Sequence, residues 1–80
     1  MNDFERDHLR RIILKLVNEG RDHWTDIEKR ACATCLDFAT SNTVKRQFYG
    51  YLLLFGYIER VERGRYSLTE KGYRLLALLT

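Results

Sequence analysis

The stretch Phe55-Gly56-Tyr57-Ile58-Glu59-Arg60-Val61-Glu62-Arg63-Gly64-Arg65-Tyr66-Ser67-Leu68-Thr69-Glu70-Lys71-Gly72 decides the fold. Gly56 stops the helix that precedes it, because glycine enters the left-handed region without a Cβ clash. Residues 57–61 and 65–68 read as two short strands, rich in aromatic and branched side chains. Glu62-Arg63-Gly64 joins them, and Gly64 supplies the φ > 0 residue of a tight hairpin. Thr69 then caps a last helix. A lone hairpin set between helices points to an α+β chain that is mainly α.

Upstream of Gly56 the pattern is helical. Thr40 or Ser41 opens a third helix, on which Val44, Phe48, Tyr51 and Phe55 mark the core side. Asn42, Arg46, Tyr49 and Leu53 lie opposite, with Lys45 at the edge. Gly50 sits in mid-helix at a cost of about 0.5–1 kcal/mol relative to Ala. Before it, Leu36-Asp37-Phe38-Ala39 reads as a tight turn between two apolar anchors. Thr25 and Glu28 form a capping-box pattern at the start of a second helix, whose inward stripe is Ile27, Ala31, Cys35 and Leu36. His23-Trp24 is a short extended stretch ahead of it, with Trp24 a core anchor near the hairpin base. A first helix runs over Asp3–Asn18, capped by Asn2 with Glu5 as box partner. Its apolar face is Leu9, Ile12, Ile13, Leu16 and Val17, and Gly20 ends it.

Eighty residues with 45% hydrophobic side chains and no proline make one globular domain, residues 1–80. A chain this short buries only about 60–70% of its unfolded surface, so a partner subunit, a metal or a disulfide is a reasonable reinforcement. No run of about 18 apolar residues is present, which argues against a membrane span. The charged N-terminus does not resemble a signal peptide, so a cytoplasmic location is expected. The net charge of +3 is unevenly spread. Residues 1–39 carry seven basic and eight acidic side chains, net −1, and residues 40–80 carry seven basic and three acidic, net +4. A basic second half suits an anionic partner, nucleic acid first, or an ordinary solvated surface.

The order helix, short strand, helix, turn, helix, hairpin, helix resembles a winged helix-turn-helix DNA-binding domain. Thr25-Asp26-Ile27-Glu28 is similar to the start of that family's second helix, and Leu36-Asp37-Phe38-Ala39 to its elbow. Asn42-Thr43-Val44-Lys45-Arg46 is similar to the opening of a recognition helix. Phe55-Gly56-Tyr57-Ile58-Glu59-Arg60 resembles the passage into the wing. Tyr66-Ser67-Leu68-Thr69-Glu70-Lys71-Gly72 closely resembles the wing exit of PadR-type and MarR-type regulators. Three features depart from that pattern: Asp37 at the elbow, Gly50 in the recognition helix, and a very short wing.

The resemblance implies sequence-specific binding of double-stranded DNA, with the third helix in the major groove and the wing on the backbone. Arg46 and Asn42 have the donors to read guanine and adenine edges. Ser41, Thr43 and Lys45 suit phosphates, and Tyr49 lies on the same outward side. On the hairpin, Arg60, Arg63 and Arg65 offer phosphate contacts, diluted by Glu59 and Glu62. The alternative for all of these is a solvated surface, or a winged helix used for protein–protein contact.

Cys32-Ala33-Thr34-Cys35 is a lone Cys-x-x-Cys. It lacks the second ligand pair of a structural zinc and the βαβ setting of a thiol oxidoreductase, so packing is the first reading and redox sensing the second. No catalytic constellation stands out, and an enzyme, a cofactor and a small-molecule effector are not expected. Leu75, Leu76, Leu78 and Leu79 cannot all face one core, and Leu78 points away. With Phe4 at the other terminus this suggests an exposed patch and a homodimer through the terminal helices.

Overall fold

The computed structural model describes residues 1–80. The first helix, α1 (Asp3–Asn18), begins with the expected box: the Glu5 amide donates to Asn2 Oδ1 at 2.8 Å, and the Asn2 amide donates to Glu5 Oε1 at 3.1 Å. It buries Leu9, Ile13, Leu14 and Val17. Next come α2 (Trp24–Thr34) and α3 (Ser41–Gln47), which is capped by Thr40. A π-helical turn over Phe48–Leu53 continues α3 directly. Strands β1 (Ile58–Glu62) and β2 (Arg65–Leu68) pair antiparallel, with Ile58 opposite Leu68 and Arg60 opposite Tyr66. The register slips between Arg60 and Glu62, so Val61 bulges out. Finally α4 (Glu70–Leu79) packs back on α1. The architecture is α+β, mainly α, with a winged-helix-like arrangement of helices and hairpin.

Four expectations need correction. Thr25 does not cap α2, because the helix starts two residues earlier than that cap would place it, at Trp24, with His23 at the cap position. Long-range backbone bonds set that start. The Trp24 amide donates to the Gly64 carbonyl at 2.9 Å, the Tyr66 amide donates to the Asp22 carbonyl at 3.1 Å, and His23 pairs with Arg65. The extended stretch is therefore Asp22–His23, with His23 in an isolated bridge to Arg65 of β2, while Trp24 is already helical. Leu36 is not inward either. The helix has ended at Cys35, and Leu36 is 79% exposed.

The third and fourth corrections share one cause. The expected core face of Val44, Phe48, Tyr51 and Phe55 assumes 3.6 residues per turn throughout. The π turn takes an extra residue, so the inward position after Phe48 passes from Tyr51 to Leu52. Leu52 is fully buried, Tyr51 is half-buried and Phe55 is exposed. Leu53, expected to face outward, is half-buried against the core.

The core is built from Leu9, Ile13 and Leu14 of α1, Ile27 and Ala31 of α2, Val44 of α3, Phe48 and Leu52 of the π turn, and Ile58, Tyr66 and Leu68 of the hairpin, with Leu75, Leu76 and Leu79 of α4 half-buried against it. One junction ties its two halves. Thr69 Oγ1 accepts from the Gly72 amide at 3.1 Å and donates to the Gly56 carbonyl, so the end of the third helical segment and the start of α4 share one hydroxyl. Gly72 is buried directly on the Tyr57 backbone, and a Cβ there would run into the Tyr57 carbonyl oxygen.

The two helical glycines therefore have opposite roles. A Cβ on Gly50 meets nothing. Gly50→Ala should raise stability by about 0.5–1 kcal/mol through helix propensity. Gly72→Ala should lower it by about 1–3 kcal/mol through backbone overlap. Urea unfolding of the two variants checks this, and equal shifts would contradict the packing described here.

Candidate functional site

Thr40, Ser41 and Thr43 build the start of α3. The Thr43 amide donates to Thr40 Oγ1 at 3.3 Å, and the two hydroxyls lie 3.0 Å apart. A hydroxyl cap of this kind is worth about 1 kcal/mol. The Ser41 hydroxyl donates to Glu28 Oε2 of α2. Both hydroxyls expected to meet phosphates are thus engaged inside the protein, and a carboxylate stands beside one of them. The next turn is different. Asn42, Lys45 and Arg46 are exposed, and neither cation has an acidic partner.

Tyr49 is exposed along one side only. Its ring lies 5.1 Å from Trp24 and 4.9 Å from Phe48, so it is a wall of the aromatic cluster rather than a free reader. Burial, then the neighbouring Tyr66 hydroxyl, push its phenol up to about 12, while Arg60 pulls it the other way. Glu28 acts on the same phenol. Glu28 thus bonds Ser41 at the start of α3, and Glu28 and Arg60 act in opposite directions on the Tyr49 phenol.

On the hairpin, Arg60 and Arg63 are exposed and carry no ion pair. Arg63 occupies the tip with Gly64. Arg65 is held from two sides, by Asp22 at 3.2 Å and Glu62 at 2.9 Å. The Asp22 bond, then Glu62, raise its pKa. Arg65 fastens β2 to the strand edge before α2. Sequence reasoning grouped it with Arg60 and Arg63 because Asp22 lies 43 residues away and carries no local signal.

The thiols of Cys32 and Cys35 are free, half-buried and buried respectively. Burial pushes both up in pKa, with Glu28 adding to the effect on Cys32. Protonated, shielded thiols are poor nucleophiles and poor metal ligands, and they fit a packing role. No group of three or more His, Cys, Asp or Glu is placed to hold a metal ion. An open groove of about 270 Å³ lies at the far side of the molecule, lined by Phe4, Asp7, His8, Arg11, Leu78 and Leu79. No helix is long and apolar enough to cross a membrane.

The raised phenol of Tyr49 has a pH consequence. A group whose native pKa lies above its unfolded value near 10 holds its proton longer in the folded state. Its contribution is complete below pH 10 and is lost as pH rises toward 12. Unfolding free energy should fall over that window, and Tyr49→Phe should flatten the fall. Urea midpoints measured from pH 9 to 11 check this, and an unaltered pH slope in Tyr49→Phe would contradict the assignment.

Comparison with protein-family models, with curated proteins and with solved structures found no match to this chain.

Proposed function

We propose that this chain is a winged helix-turn-helix protein, akin to PadR-type and MarR-type regulators, that binds double-stranded DNA sequence-specifically. The observation that carries the reading is a set of cations left without acids. Lys45 and Arg46 on α3 and Arg60 and Arg63 on the hairpin are exposed and unpaired, as are Lys15, Arg21 and Lys29, whereas Arg6, Arg30, Arg65 and Arg74 are each held by a carboxylate; the first four fall on the two elements that the winged-helix resemblance assigns to DNA. The outward surface of α3 around them is polar, with Asn42 beside the cations. Leu53 is drawn against the core and the Tyr49 ring packs on Trp24 and Phe48, so neither residue stands free on this face.

In this reading α3 enters the major groove. Arg46 takes guanine through paired donors and Asn42 takes adenine through its amide. Lys45, Arg60 and Arg63 take phosphates. Ser41 and Thr43 organise the helix start, Tyr49 joins helix to wing, and Arg65 holds the wing in place. Glu28 sits at the helix start, where it disfavours indiscriminate attraction of phosphate and sharpens dependence on base contacts. A role as a small transcriptional regulator follows from such binding.

A second copy completes the reading. Phe4 and Leu78 are 80% and 83% exposed and flank the groove between α1 and α4. Asp7 on its rim has no ion-pair partner, and Arg11 one turn further contacts only His8. A two-fold interface sets Asp7 of one copy against Arg11 of the other, twice. Leu78→Glu should shift the protein to monomer without unfolding it, because Leu78 faces solvent in the single chain. Light scattering on the wild type and variant decides this, and identical masses would contradict it.

Titration of duplex DNA at several salt concentrations tests the main reading. Binding should weaken steeply with salt. Arg63→Ala should reduce the log–log salt slope by about 1 and weaken all sequences alike. Arg46→Ala should cost about 1–3 kcal/mol on the preferred sequence and relax specificity. Absence of duplex binding at low salt overturns the reading and leaves a protein-contact module in its place.

A further inference from the structure

Two apolar registers compete in the helix behind α3. At 3.6 residues per turn, Tyr51 and Phe55 follow Phe48 into the core. With the π turn, Leu52 does so instead. Nothing within Phe48–Leu53 chooses between them, since both faces are apolar and Gly50 fits either pitch. Isolated π turns of this kind recur at functional sites.

The choice is made from α1. Arg10 Nε donates to Gln47 Oε1 at 2.8 Å, and the same guanidinium lies 3.4 Å from the centre of the Tyr51 ring. Gln47 ends α3 and is its only buried polar side chain, and Tyr51 is the residue that the π turn displaces from the core. The clamp thus spans the point where the two registers diverge. Tyr51 in turn stacks nearly parallel on Tyr57, at 5.4 Å and 19°. Lys71 covers Tyr57 at 4.4 Å and donates to the Phe55 carbonyl at 2.7 Å. A guanidinium suits this position because it is planar, stacks on rings and still donates in plane. Burial lowers the pKa of Arg10, so the site desolvates a cation at a cost that its two contacts must offset.

We infer that Arg10 is a positioning residue, which holds Tyr51 at the surface and so fixes the pitch of the helix between α3 and the wing. Release of the clamp lets Tyr51 replace Leu52, and the segment leading into β1 rotates by about one residue of helix, roughly 100°. The face carrying Lys45 and Arg46 then loses its set angle to Arg60 and Arg63. That last consequence rests on the DNA reading, whereas the pitch does not.

The test uses the free protein first. Through-hydrogen-bond NMR couplings report which carbonyl each amide from Tyr51 to Tyr57 is bonded to. The wild type should show i−5 partners within the π turn. Arg10→Met, which keeps the stem and removes the guanidinium, should replace them with i−4 partners and bury the Tyr51 ring. Should Arg10→Met not fold, Tyr51→Leu removes the ring that the clamp grips and should give the same change. Retention of i−5 partners in the folded variant overturns the inference, because a merely stabilising Arg10 would lower the unfolding midpoint without altering the pattern. Duplex titration follows. Arg10→Met should lose discrimination between preferred and unrelated sequences with the salt slope unchanged, and undiminished discrimination overturns the link from pitch to recognition. If the wild type binds no duplex, the DNA reading falls, and the couplings still decide the role of Arg10.

Discussion

Phe48 holds the molecule together. Its ring is fully buried and meets Trp24 at 4.8 Å, Tyr49 at 4.9 Å and Tyr66 at 4.8 Å, the last edge-on. Those rings come from α2, the π turn itself and β2. Each aromatic pair adds about 0.5–1.5 kcal/mol beyond the area it buries. More important is what the cluster joins. Trp24 also carries the amide that binds the Gly64 carbonyl at the hairpin turn. One ring therefore sets the distance between α2, the third helical segment and the hairpin, and the exposed cations on α3 and the hairpin inherit that spacing.

Most of the fold was legible because most of it is local. Asn2 and Glu5 lie three residues apart, and so do Thr69 and Gly72. The helix starts they define are where the spacing places them. The hairpin is equally local, with Gly64 at its turn. Most of the failures involve partners distant in sequence. Thr25 and Glu28 carry a good capping pattern, yet strand contacts from Gly64 and Arg65 start α2 two residues early, and Glu28 turns to Ser41 instead. Leu36 lost its place to the end of α2 at Cys35. Tyr51 and Phe55 lost theirs to the change of helical pitch at the π turn, for which we propose Arg10 as the cause, 41 residues before Tyr51 and in contact with its ring.

The candidate site was legible in kind rather than in detail. Sequence alone separates a nearly neutral first half from a basic second half and, by resemblance, gives Arg46 to bases and Lys45, Arg60, Arg63 and Arg65 to phosphates, but it cannot tell which of them the fold already engages. The structure sorts them. Arg65 is a strut between Asp22 and Glu62, and Lys71 is a brace over Tyr57. Lys45, Arg46, Arg60 and Arg63 remain open to solvent. The same sorting applies to the polar residues at the start of α3, where Ser41 and Thr43 are engaged and Asn42 is not. Within the basic second half, the exposed cations held neither by a carboxylate nor, like Lys71, over a ring are thus those on α3 and the hairpin, and Glu28 bonds Ser41 at the start of α3.

The central claim is that this surface reads duplex sequence. Selection of bound duplexes from a random pool, with the mass of the complex measured on the enriched sequence, tests it most directly. The account predicts enrichment of an inverted repeat with half-sites about one helical turn apart and two protein copies per duplex. Recovery of an unenriched pool at every round would contradict it.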